Sequence, residues 1–302
     1  MKPALSIVFF TVLSGGGLGL AAVLAVFADS VAAREFAFAV VLSCALTGGG
    51  LCASVFHLAN PKNAWRAFSR VRTSWLSREA VCAVLFFALF MPWAAWHFYY
   101  GESPRFLRAA VLFFAVCAVF CTAMIYQSLK TIAAWHHPLT ACGYLAFALQ
   151  SGALLFAACA SFGGGADETI AAAVCILTAA AVAIKILYYR RLGKTADIRV
   201  GRAAGFSRAG AKLLETGHAA QTFLTREFIF VVSARKLRAL RIASVSLCAF
   251  APPSGAAFAL RGDSWGAVFA ACFLCAGLLA ERWLFFAEAK HSVRAYHGVG
   301  AP

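Results

Sequence analysis

Acidic side chains are scarce in this sequence: twelve Asp and Glu stand against 27 Lys and Arg, and charged residues of both signs make up only 13% of 302 positions. A water-soluble domain of that length needs about twice this charged fraction to cover its surface, so that class is excluded. Amphipathic stripes are missing too, because the long apolar runs are apolar all round and suit lipid better than a half-wet surface. No pair of histidines faces another at mid-span, as a haem would require. Cys272 and Cys275 make a CxxC spacing and Cys117 and Cys121 share a helical face, but no second pair stands beside either in a polar setting. Most of the eleven cysteines lie inside apolar runs, where thiols behave as small hydrophobes, so no metal site is expected. No twin-arginine motif is present. The first apolar run, about 24 residues, exceeds the usual 7 to 15 of a signal peptide and reads as a retained span. No mid-span carboxylate or basic cluster stands where a transport path would need one, which sets a transporter aside.

What is abundant is apolar surface, with 62% of residues hydrophobic and windows of roughly 20 apolar residues recurring along the chain. The expected fold is an all-α transmembrane bundle of eight spans, at about 4–28, 36–58, 79–100, 106–128, 139–162, 169–189, 240–260 and 265–287. Each is long enough to cross a hydrocarbon core of roughly 30 Å at about 1.5 Å per residue. Pro252 and Pro253 are expected to kink the seventh. We expect one integral membrane domain over 1–302, with two long polar connections, 59–78 and 190–239.

Those connections carry the positive charge. One side of the membrane receives Lys2, the five basic residues between spans two and three, Lys130, those of 190–239, Lys290 and Arg294; the other receives Arg34, Arg105, Arg108 and Arg261. Basic residues so placed orient a membrane protein, which accounts for the net charge of +15 without nucleic acid and puts both termini in the cytoplasm. The same residues offer a docking surface to anionic lipid or to an acidic partner protein.

One stretch combines this charge with chemistry: HLANPKNAWRAFSRVRTSWLSREA, residues 57–80. His57 ends the second span and Glu79 opens the third, so two protonatable groups meet at one membrane face. Oxidation of a quinol releases protons with its electrons and needs an acceptor at the hydroxyl plus a group to carry the proton off. His57 fits the first role and Glu79 the second. Arg66, Arg70 and Arg72 either orient the head group in the quinone pocket or dock a partner. A histidine at a span end that only hydrogen-bonds lipid headgroups remains the alternative.

The run His57-Leu58-Ala59-Asn60-Pro61, followed by Ala67-Phe68, Arg72, Ser74, Leu76-Ser77 and Glu79, resembles the membrane-anchor subunits of anaerobic dimethyl sulfoxide reductase. So do YQSLKTIAAWHHPLT at 126–140, HAAQTFLTREF at 218–228 and AERWLFFAEAKH at 280–291. The resemblance implies an integral subunit of the bacterial inner membrane without haem or iron-sulfur cluster of its own. It implies an iron-sulfur subunit and a molybdopterin catalytic subunit as partners, and exchange of electrons with menaquinone or ubiquinone. It implies that His57 and Glu79 bind and oxidise quinol. The family includes anchors of cytoplasmic sulfite dehydrogenases, which send electrons from substrate to quinone, and a passive anchor without quinone chemistry is the remaining alternative. The family's respiratory reductases are usually described with the N-terminus outside, whereas the charge count here places it inside.

Overall fold

The computed structural model describes residues 1–56, 61–164, 166–194, 230 and 232–292. Eight long helices account for most of them: α1 Leu5–Phe27, α2 Ala33–Val55, α3 Trp75–Tyr100, α4 Arg105–Gln127, α5 Pro138–Ser161, α6 Glu168–Lys194, α7 Ala234–Leu260 and α8 Ser264–Ala287. Each is long and apolar enough to cross a bilayer, and no strand occurs among the described residues. The all-α, eight-span expectation is met, with ends that shift for identifiable reasons.

Helix α3 starts at Trp75, four residues ahead of the expected boundary, because the Ser74 side chain caps it by accepting from the Ser77 amide at 3.4 Å. Hydropathy marks where a helix enters hydrocarbon, whereas the cap marks where it begins. Helix α7 likewise starts at Ala234 under a Ser233 cap, and it runs on through Pro252 and Pro253 to Leu260. Helix α6 extends to Lys194, so both helices take residues from the 190–239 connection. Positions 195–229 of that connection lie outside the described residues.

The bundle is built on α1 and α5, which are mostly buried, while α3 packs mainly on α4, which in turn packs on α1 and α5. Glycine explains why α1 can be central. A Cβ on Gly19 would overlap the Ala148 carbonyl of α5, and a Cβ on Gly152 would overlap the Gly19 backbone. Two helices meet there backbone to backbone, the small-residue packing that substitutes for a hydrophobic drive inside lipid.

Successive antiparallel crossings put alternate connections on opposite faces. On one face the Met1 ammonium donates to the Ala289 carbonyl at 2.8 Å, and the Ser292 amide donates to Thr131 at 3.0 Å. On the other, Arg34 donates to the Phe162 carbonyl at 2.9 Å and the Ala166 amide to Ala259 at 3.0 Å. The segment between α2 and α3, a 3-10 helix over Pro61–Phe68, lies on the Met1 face with Lys62, Arg66, Arg70 and Arg72 exposed.

Candidate functional site

The site grows from adjacent residues that point apart. Arg78 turns back along the face, its Nε donating to the Val71 carbonyl at 2.9 Å, its Nη2 to Arg72 at 2.8 Å, and its guanidinium lying 4.2 Å from the Trp75 ring centroid. It fastens the 61–74 segment to α3. One position on, about 100° around the helix, Glu79 points into the bundle with 6% of its surface exposed. It falls on the buried stripe of α3 that continues through Ala83, Phe86, Phe90, Trp93 and His97. Glu79 therefore sits one turn inside the helix and not at its opening. The Thr122 hydroxyl of α4 donates to Glu79 Oε1 and lies 3.0 Å from its own helix's Ala118 carbonyl.

Behind this pair stands an aromatic and charged belt, all of it nearer the Met1 face than the other. Tyr126 of α4 and Tyr144 of α5 stack at 5.8 Å. The Arg282 guanidinium of α8 lies 3.8 Å from the Tyr144 centroid. Arg282 Nε pairs with Glu281 Oε2 at 2.7 Å, and Glu281 Oε1 takes the Lys185 ammonium of α6 at 2.5 Å. Lys185 also faces the rings of Tyr188 and Tyr189 at 4.4 and 4.5 Å. Trp135, from the α4–α5 link, donates its Nε1 to the Phe285 carbonyl at 3.0 Å and closes the belt from below.

Lys185, Glu281 and Arg282 are each at most 6% exposed by side chain. They overturn the expectation that no charged cluster stands within the spans. The signal was present as single charges inside apolar runs, AVAIKILYY at 181–189 and LLAERWLFF at 278–286. Read one run at a time, each charge looked isolated; packing of α6 against α8 through α7 and α5 brings them together. Tyr144 and Thr122 carried no sequence signal, since a lone Tyr or Thr in a span is ordinary.

The residues expected to form the site are not all gathered by the fold. Glu79 is buried at the site. His57 lies outside the described residues, as do Leu58, Ala59 and Asn60. Arg66, Arg70 and Arg72 are exposed on the Met1 face, Arg66 with its guanidinium 5.7 Å from the Trp65 ring, so the structure does not bring them to Glu79. His137 caps α5, its Nδ1 accepting from the Leu139 amide at 3.2 Å, and burial with the nearby Arg191 charge holds its pKa below the usual histidine value. Cys272 and Cys275 lie on an apolar wall of α8, and no group of three or more His, Cys, Asp or Glu able to hold a metal occurs among the described residues.

Eight apolar helices with a buried polar belt beneath one basic face define a multi-pass membrane protein. The chain belongs to the family of the DMSO reductase anchor subunit (DmsC), which it matches over residues 1–242. It is 33% identical to a sulfite dehydrogenase subunit of Allochromatium vinosum, over 98% of this chain and 99% of that one. A shorter match, also 33% identical, covers 37% of this chain and 40% of the anaerobic dimethyl sulfoxide reductase chain YnfH of Escherichia coli. It is thus a membrane anchor subunit of an oxidoreductase complex.

Proposed function

We propose that this anchor holds an iron-sulfur subunit, and through it a molybdopterin catalytic subunit, against its basic face in the bacterial cytoplasm, and exchanges electrons between them and the quinone pool. The observation that carries this reading is Glu79: a carboxylate buried one turn below the basic face, held by Thr122, where proton traffic to a lipid-soluble carrier has to begin or end. Quinone reduction takes up two protons with two electrons, and quinol oxidation releases them. Glu79 passes the proton in either direction, with His57 at the quinone oxygen. The exposed Arg66, Arg70 and Arg72 supply charge to a partner's acidic surface. The full-length likeness to a protein named as a sulfite dehydrogenase subunit favours electron flow from substrate to quinone.

The test is quinone-linked turnover of the assembled complex carrying Glu79→Gln. Loss of a positioned proton carrier costs about a hundredfold or more, and assembly, followed by co-purification of the other subunits, stays intact. A passive anchor gives parental turnover in both Glu79→Gln and His57→Ala.

A further inference from the structure

Between Glu79 and the charged triad, four helices leave a crevice. Its polar lining is Thr11 and Ser14 of α1, Thr122 of α4, Tyr144 and Ser151 of α5, and Arg282 of α8. Most of these hydroxyls are already committed: Thr11, Ser14 and Ser151 donate to carbonyls of their own helices, and Thr122 to Glu79. Tyr144 is different. Its hydroxyl is buried and makes no hydrogen bond of good geometry to the described residues, with the Arg282 guanidinium lying against its ring. A buried polar group left open in lipid is costly, so a ligand or water belongs there. The crevice itself measures about 20 Å³, room for one oxygen-sized group.

The crevice does not end there. Val12, Gly16, Ser151 and Leu278 line it and also line a much larger groove of about 300 Å³. That groove is apolar, walled by Leu42 and Leu46 of α2, Leu155 of α5, Phe162 just past its end and Cys272 and Cys275 of α8, and it reaches the lipid-facing surface at Phe38 and Cys272. The combination is an apolar channel that opens outward and ends inward on a phenol and a guanidinium. A phospholipid would need the reverse, with its large charged head at the membrane face. The shape and donor set fit a molecule whose small neutral head carries carbonyl oxygens and whose tail is hydrocarbon.

We propose that crevice and groove together are the binding site of an isoprenoid quinone in this chain, with Tyr144 and Arg282 directed at one carbonyl oxygen and the groove holding the ring and the start of the tail. The inference rests on the quinone reading above and assigns it a location. Thr122 connects the two, since it lines the crevice and holds Glu79. The head then lies within reach of the proton carrier on one side and of two donors on the other, and the tail leaves between α2 and α8.

The full chain in nanodiscs of phosphatidylethanolamine and phosphatidylglycerol tests this by displacement of a fluorescent quinol analogue with two competitors, a decyl-tailed benzoquinone and the tail-less ring. Tyr144→Phe keeps the ring stack and removes the hydroxyl; both competitors then bind about fivefold to tenfold more weakly. Leu155→Trp fills the groove; the tailed quinone and the tail-less ring then both bind at least about tenfold more weakly. A photoactivatable azidoquinone labels α5 and α8 of the parent. Parental affinity in both variants, with binding lost in His57→Ala, moves the site to the 57–79 segment and refutes this location while leaving the quinone reading intact. A photoactivatable phospholipid that labels the groove and resists competition by the quinone also refutes it. No displacement by either competitor in the parent chain overturns the quinone reading itself.

Discussion

Removing the Glu281 carboxylate is the sharpest perturbation of the buried belt. Lys185 and Arg282 contribute two positive charges and Glu281 one negative, a formal +1. Glu281→Gln raises this to +2 and leaves two cations facing each other across a neutral amide, none of them with access to water. Breaking a buried ion pair by removing one partner costs about 3–5 kcal/mol, and here one removal strands both cations. Lys185→Met does the opposite, taking the sum to zero and leaving Glu281 paired with Arg282 at 2.7 Å. Exchanging a buried ion pair member for an apolar side chain of similar volume is then close to neutral, about 1 kcal/mol either way, because the desolvation of Lys185 is recovered. Thermal unfolding of the purified chain in lipid nanodiscs reads the contrast. Glu281→Gln lowers the transition by about 10 °C or more, while Lys185→Met shifts it by only a few degrees. Equal losses in the two variants, or a larger loss for Lys185→Met, refute the argument that net buried charge governs this cluster.

Other expectations follow from separate parts of the molecule. Gly19→Leu drives a side chain into the Ala148 carbonyl of α5 and prevents folding, seen as loss of the monodisperse species on size exclusion, whereas Gly49→Ala, with nothing within 4 Å of its Cβ, gains up to about 1 kcal/mol of helix stability. His137 titrates below the ordinary histidine value in the folded chain, so its contribution is complete above about pH 6.5 and is lost as pH falls through the folded value, because a protonated ring cannot accept from the Leu139 amide. His137→Ser keeps an acceptor at the cap and flattens that part of the stability profile between about pH 7 and 5, compared with the parent. The triple change Arg66→Gln, Arg70→Gln, Arg72→Gln weakens association with the proposed iron-sulfur partner most at low salt, and leaves the proposed quinone binding by the anchor itself unaltered.

The eight spans were legible because a bilayer imposes one requirement on every helix, a length of apolar residues, and that requirement is written locally. Helix ends were less legible. Ser74 and Ser233 start α3 and α7 inside polar sequence, where a hydropathy window has not yet opened the span. Glu79 was found because it closes a polar motif at an interface. Its orientation was not, since the helix start sets which way it faces, and an error of four residues turns a side chain by more than one full revolution of the helix. The charged triad was missed for another reason. Lys185 and Glu281 are 96 positions apart, and only the packed bundle makes each the reason the other is tolerated.

The division of labour between centre and rim follows from the same packing. Helices α1 and α5 meet at Gly19 and Gly152 with no side chain between them, so their relative position is fixed by backbone contact. Tyr144 rides on that rigid core two turns before Gly152, and Arg282 lies against its ring from α8. Glu79 belongs to α3, held to α4 through Thr122 and to the basic segment through its neighbour Arg78. A partner docked on the 61–74 segment, as proposed, meets α3 through the Arg78 contacts with Val71 and Arg72, one residue from Glu79. The proposed chemistry between Glu79 and Tyr144 depends on how α3 sits against the α1–α5 contact, and the basic segment proposed to dock a partner joins the end of α3 that carries Glu79.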